Sequence, residues 1–309
     1  MHLLIPYASA LDEACAPALQ TLNLPHLAQL LGRLQPQESL GGDEFSALTP
    51  HELVLARAWG WQDGEPAFAA AQAEDDGLAT EGLAWALLTP LHLSVTSDQV
   101  TALHPELLAL DEAESRAFFA ALAPLFPADE GWRSAWAAPT RWYVAHESLA
   151  GLPSASLERV INRNVDPWMP EPRLLRRLQN EMQMLLHREP LNAAREARGA
   201  HELNSVWISG CGRARPRRRD AALQLDTRLR EPLLAGDWAA WREAWQALDA
   251  GPIKTLLERQ RAGEAVSLTL AGERSAQRFA PAPVGSAFSR LWQRFAAPRA
   301  DVAAVLEAL

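Results

Sequence analysis

The residue types best suited to chemistry crowd between Asn192 and Arg219. A β-branched and aromatic run, Ser205-Val206-Trp207-Ile208, stops at four small residues, Ser209-Gly210-Cys211-Gly212. A buried strand followed by a small-residue turn is where open α/β sheets place their ligand sites. Cys211 at such a turn could serve as a nucleophile. The plainer reading is that the strand must end and that small residues permit a tight backbone. Five arginines follow in the seven residues from Arg213 to Arg219. Such a loop could hold a small anion through charge-assisted hydrogen bonds, or it is simply solvated. His92 and His104 fall in adjacent predicted strands, and His146 lies in the same region. A metal site there is conceivable, but ordinary surface or core histidines are the commoner outcome.

Composition narrows the classes. A chain of 309 residues holds one large or two ordinary domains, and 48% hydrophobic with 22% charged residues is a globular composition. A net charge of −9 argues against nucleic acid as a partner. No apolar run approaches the roughly 20 residues that span a bilayer. The start, Met1-His2-Leu3-Leu4-Ile5-Pro6, lacks the pattern of a secretory signal, so a cytoplasmic location is expected. Cys15 and Cys211 are too few for a disulfide framework and read as reduced thiols. Lys254 is the only lysine, and with abundant alanine this bias points to a GC-rich bacterial genome. Twelve tryptophans against two tyrosines supply large core fillers.

The elements that must position these residues are legible in outline. His2–Ile5 reads as a buried N-terminal strand, and Pro25 opens a helix at a first-turn position. Thr49-Pro50-His51-Glu52 is a strong helix start, with Thr as N-cap and Glu at the third position. From Ala84 to Glu147 the pattern is β-β-α-β-β, with a hairpin around Thr96–Gln99 and Asp111 capping the helix. Residues 173–187 carry an apolar stripe at helical spacing. Asp237 caps a helix bearing Trp238, Trp241 and Trp245, and 265–270 reads as a strand. A last helix from Ser286 sets Phe288, Leu291, Trp292 and Phe295 along one side.

With these residues in place, Leu186–Arg213 resembles the archaeal type of cofactor-independent phosphoglycerate mutase, in the alkaline phosphatase superfamily. That family has a helix ending in N-x-x-R-x-x-x-G, followed by N-x-[IV]-W-[IL]-x-G-x-G. Here those positions are Asn192, Arg195, Gly199, Asn204, Val206, Trp207, Ile208, Gly210 and Gly212. The resemblance runs backward in order through Pro139-Thr140-Arg141-Trp142-Tyr143 and through Leu24–Leu30 to the first strand, covering about two thirds of the chain. It implies an α/β fold with a mostly parallel central sheet flanked by helices, alkaline phosphatase-like, from 1–83 and 148–285. A small inserted antiparallel α+β lobe is expected at 84–147, and a C-terminal helical tail at 286–309.

The family's reaction needs two divalent metals on Asp and His ligands and a Ser that takes and returns the phosphoryl group. The resemblance puts Tyr7 where the first Asp ligand belongs and Arg57 where the Ser belongs. Asp249 stands in the next ligand run without its His, and the last strand ends in Ala271-Gly272-Glu273 instead of Asp-His. No histidine follows His201. This pattern is most similar to the branch described as RpfE-type regulatory proteins. The expectation is a non-catalytic protein with no metal or cofactor, holding a small anionic, phosphorylated ligand between core and lobe. Arg57, Arg141, Asn204, Ser209 and Arg213 are the candidate ligand-binding residues. Two alternatives stand beside it. One is an active phosphotransferase or phosphohydrolase with an altered site, using Ser9, Ser46 or Cys211. The other is an interaction scaffold that meets a protein partner through the C-terminal aromatic helix.

Overall fold

The computed structural model describes residues 1–61, 66–218, 222–282 and 300–309. They form two compact units, Met1–Ala58 with Arg219–Leu309, and Trp59–Arg218. In chain order the strands are β1 (His2–Ile5), β2 (Gln35–Gly41), β3 (Ala84–Leu91), β4 (Leu93–Val95), β5 (Val100–Ala102), β6 (Arg133–Ala138), β7 (Arg141–Ala145), β8 (Ser205–Arg213), β9 (Leu223–Leu225), β10 (Ser267–Ala271) and β11 (Ser275–Ala280). The α-helices are α1 (Cys15–Gln20), α2 (Pro25–Leu31), α3 (Pro50–Ala58), α4 (Phe68–Asp75), α5 (Glu112–Ala121), α6 (Arg173–His187), α7 (Pro190–Ala197), α8 (Arg230–Leu234), α9 (Trp238–Leu248), α10 (Lys254–Arg261) and α11 (Val302–Glu307).

The first unit holds a five-stranded sheet in the order β2-β11-β10-β1-β9. Only β1 with its two neighbours is parallel; β11 runs antiparallel to both β10 and β2. The expectation of a mostly parallel sheet is therefore corrected. The reason is local: the turn Gly272-Glu273-Arg274 is too short for a crossover, so β10 and β11 must form a hairpin. Side-chain alternation sorts the sheet. Leu4, Ala271 and Ala276 share a buried cluster with Val54 of α3, with Leu40 and Leu55 packed against it. The alternate residues Leu3, Ile5, Leu268 and Leu270 are also buried. Helices α2, α9 and α10 contribute buried Leu27, Leu30, Trp241, Trp245, Leu256 and Leu257. The capping of α3 is as expected from its sequence: the Thr49 amide donates to Glu52 Oε2 at 2.7 Å.

The second unit is built on a four-stranded antiparallel sheet in the order β6-β7-β3-β8. Segment 84–147 thus shares its sheet with residues 205–213. Alternation again decides which side each residue serves. Leu88, Trp142, Val144, Val206 and Ile208 join Leu175, Leu178, Met182 and Leu186 of α6 in one cluster. Trp85, Tyr143 and Ala145 face the alanines of α4 in another. The hairpin expected around Thr96–Gln99 is β4–β5, and Asp111 caps α5 by accepting from the Glu114 amide at 2.8 Å. No helix among the described residues is long and apolar enough to cross a membrane. Phe288, Leu291, Trp292 and Phe295, expected on the last helix, lie outside the described residues.

Candidate functional site

The run Ser205–Ile208 does not stop at Ser209. β8 continues to Arg213, pairing with β3 from Ser205↔Leu91 to Arg213↔Ala84. A register shift opposite Trp85 and Leu87 marks a bulge, and Gly210 there adopts φ +65°. A Cβ on Gly210 would lie 2.8 Å from the Ala69 amide nitrogen of α4. The small residues therefore let β8 bend and let α4 approach; they do not form an open ligand turn.

The other residues of this motif are fasteners. Asn192 donates to the carbonyls of Leu186 and Leu203 and accepts from the Leu203 amide, each at 2.9 Å. Arg195, fully buried, donates to Glu114 at 2.6 Å and to the carbonyls of His201 and Leu108. Asn204 pairs with the backbone of Leu93 in both directions, at 2.7 and 2.9 Å. Trp207 Nε1 donates to the Ala155 carbonyl at 3.0 Å. Every one of these bonds joins α7, Asn204 just before β8, or β8 itself to a neighbouring segment of the same unit.

The candidate ligand residues are similarly engaged. Arg141 makes a bidentate pair with Asp76, both bonds 2.8 Å, and the Tyr143 hydroxyl donates to the same carboxylate at 2.7 Å. Burial, and then the Asp76 carboxylate, push the Tyr143 hydroxyl well above its usual range. Ser209 is buried within β8, and Arg213 pairs with Glu147. In the basic loop, Arg217 bonds Asp75 and Glu74, and the Asp75 bond holds its proton more tightly than usual. Arg217 of the basic loop is thus neutralised by Glu74 and Asp75, the residues before Asp76. Arg57 belongs to the other unit, Met1–Ala58 with Arg219–Leu309.

The possible nucleophiles and the histidines divide in the same way. Burial raises the Cys211 thiol to about 11, and burial raises Cys15 also, so both are protonated at neutral pH. Ser9 is buried at the end of β1. His92 bonds the Glu202 carbonyl at 2.9 Å. The Glu106 amide donates to His104 at 3.3 Å, and His146 stacks on Trp132 at 4.4 Å between ring centroids.

The residues that the sequence resemblance sets at metal-ligand positions are engaged in other contacts. Tyr7 adopts φ 60°, packs its ring 5.0 Å from His51, and accepts the Trp241 indole proton on its carbonyl at 3.0 Å. Asp249 is 4% exposed and accepts from the amides of His26 (3.2 Å) and Leu27 (2.7 Å) and pairs with His26 Nδ1 at 2.8 Å. It acts as the cap of α2 from a distant π turn, Asp249–Ile253. Glu273 accepts from the Leu11 amide at 3.0 Å. Beyond β10, a Cβ on Gly272 would fall 2.5 Å from Ser9 Oγ and 2.7 Å from Leu309 Cβ, so the C-terminal ends of the parallel strands are filled by the chain itself. Among the described residues no group of three or more His, Cys, Asp or Glu could hold a metal ion.

A polar concavity lies among the described residues of the first unit. The β1–β10–β11–β2 face that is apolar beneath Val54 turns polar beyond the last turn of α3. There His2, Thr269, Arg278 and Glu38 line a cavity of about 230 Å³ together with Arg57. His2 Nε2 lies 2.8 Å from Thr269 Oγ1, and Arg57 pairs with Glu38. Arg57 was legible as a candidate from sequence. Arg278 was not, since its partners across the sheet are set only by strand pairing.

No family model matches the chain, and no curated protein matches it. Among solved structures it is similar to a cofactor-independent phosphoglycerate mutase from Thermoplasma acidophilum DSM 1728. The identity is 12%, over 100% of this chain and 98% of that one, with a TM-score of 0.39. It is also similar to the PH0037 protein from Pyrococcus horikoshii, at 10% identity over 91% of this chain and 87% of that one, with a TM-score of 0.44.

Proposed function

We propose that this chain is a non-catalytic relative of the cofactor-independent phosphoglycerate mutases, regulatory in the manner of the RpfE-type branch, and that it binds a small anionic ligand without metal. The reading is carried by Asp249. It is the acidic residue kept at a position where the sequence resemblance marks a metal ligand, and its carboxylate is occupied by the His26 and Leu27 amides and the His26 ring. A hard divalent cation needs carboxylate oxygens free to coordinate it. Tyr7 offers no carboxylate where the resemblance calls for an Asp, and Arg57 offers no hydroxyl where it calls for a nucleophilic Ser. The arginine at the second of these positions favours holding an anion over transferring one.

The test is an assay of the purified protein for interconversion of the two phosphoglycerate isomers, with added manganese and with chelator, alongside elemental analysis for bound metal. No turnover above the blank and no stoichiometric metal are expected. Turnover that chelator abolishes would overturn the reading.

A further inference from the structure

We infer that the cavity bounded by Arg57, Arg278, His2, Thr269 and Glu38 is a binding site for a small oxyanion, a carboxylate or a phosphate. The inference deepens the anion-binding reading above, on which it rests, by giving the ligand a place and a class. Its location follows from the sheet. In-register pairing puts His2 and Leu4 of β1, Thr269 and Ala271 of β10, and Ala276 and Arg278 of β11 on one face. Leu4, Ala271 and Ala276 are covered by Val54 of α3. The helix ends at Ala58, and beside its last turn the polar half of the same face opens as a concavity, with Leu40, Val54, Ala58 and Ala276 forming its apolar side.

The charge in it is unbalanced. Gln277 pairs with Ser39 and Phe279 with Pro36, so Gln37 and Glu38 together stand opposite Arg278 in a bulge. Glu38 nonetheless pairs with Arg57, from the helix above. Among the described residues the Arg278 guanidinium has no acidic partner. Two guanidinium groups against one carboxylate leave one positive charge over, in a chain whose net charge is −9. The Thr269 hydroxyl and the His2 ring add hydrogen-bonding groups on the floor. A planar guanidinium beside neutral donors is the recognition chemistry of carboxylate and phosphate oxygens. A volume of about 230 Å³ admits only a small ligand. The cavity lies along the sheet face, away from the strand ends filled by residues 7–9 and Leu309.

Glu38 gives the inference a test with opposite signs. It competes with the ligand for Arg57, so Glu38→Gln should tighten binding, whereas Arg278→Gln should weaken it. Calorimetric titration of the full chain at constant ionic strength, with inorganic phosphate in one arm and malonate in the other, reads both. Saturable one-site binding in either arm is expected, and the stronger arm identifies the ligand as phosphoryl or carboxylic. Arg278→Gln should lose about tenfold or more in affinity, the worth of a hydrogen bond to a charged group. Arg217→Gln, in the paired loop of the other unit, should bind like the parent. Circular dichroism and melting temperature confirm that each variant is folded. No saturable binding in either arm, equal affinity in parent and Arg278→Gln, or weaker binding in Glu38→Gln would overturn the inference. Chelator-sensitive phosphoglycerate turnover would instead remove the non-catalytic reading, and binding at this cavity would still be measured separately.

Discussion

Replacing Asp249 by Ala separates a structural carboxylate from a metal ligand. In the parent, Asp249 Oδ1 accepts from the buried Leu27 amide at 2.7 Å, and Oδ2 accepts from the His26 amide and meets its ring at 2.8 Å. Alanine leaves the Leu27 donor buried without a partner, which costs about 1–3 kcal/mol. Loss of capping at the more exposed His26 amide adds roughly 1 kcal/mol. The total is about 2–4 kcal/mol, or a fall on the order of 5–15 °C in melting temperature for a unit of this size. Asp249→Asn keeps one acceptor oxygen and should lose about half as much. Urea unfolding followed by tryptophan fluorescence measures the change. A chain of two units need not unfold in one step, so amide exchange at Leu27 supplies a local reading of the same cap. A loss below about 0.5 kcal/mol, ordinary for a surface change, would refute the capping argument. So would an equal loss in the parent on adding chelator, because the carboxylate would then be holding a metal.

Three further outcomes are expected. The raised Tyr143 hydroxyl keeps its proton in the folded state at a pH where the unfolded chain loses it. Its contribution to stability is therefore complete below pH ~10 and declines above it; Tyr143→Phe should flatten this alkaline loss in pH-dependent unfolding. Cys211, with its thiol raised to about 11 by burial, should not react with a thiol reagent at pH 8 in the folded protein and should react fully on denaturation. Gly210→Ala should destabilise by more than about 1–2 kcal/mol by thermal unfolding, since it combines a positive φ with a Cβ 2.8 Å from the backbone of Ala69.

What the sequence made legible was local. Thr49 and Glu52 announce α3, and Asp111 and Asp237 announce α5 and α9, because a cap needs only residues within one turn. The hairpin around Thr96–Gln99 is local in the same way. The end of β8 was misread because glycine serves a turn and a bulge by the same conformational freedom. What decides between them is β3, which pairs through Gly212 and Arg213 and carries the strand onward. A mostly parallel sheet was expected because the resemblance carried by 186–213 implies an alkaline phosphatase-like α/β fold. The partner of the run at 205–208, β3, is antiparallel, and that pairing is not written into the run itself.

The residues of the motif and the residues of chemistry part company for a physical reason. Asn192 and Arg195 satisfy backbone groups of Leu203 and Leu108 that would otherwise be buried without partners, and Asn204 holds the half-buried backbone of Leu93. They are held in place by folding alone, whatever the chain does. A metal ligand has no such support: once no metal is bound, nothing in the fold requires a carboxylate or imidazole at that point. Tyr7 and Gly272 serve packing at the strand ends. Asp249 has a structural employment of its own, the cap of α2. On this argument the place to look for present function is a group whose position folding does not explain. Arg278 is such a group: it has no acidic partner among the described residues, caps nothing, and lines the cavity beside the α3 C-terminus.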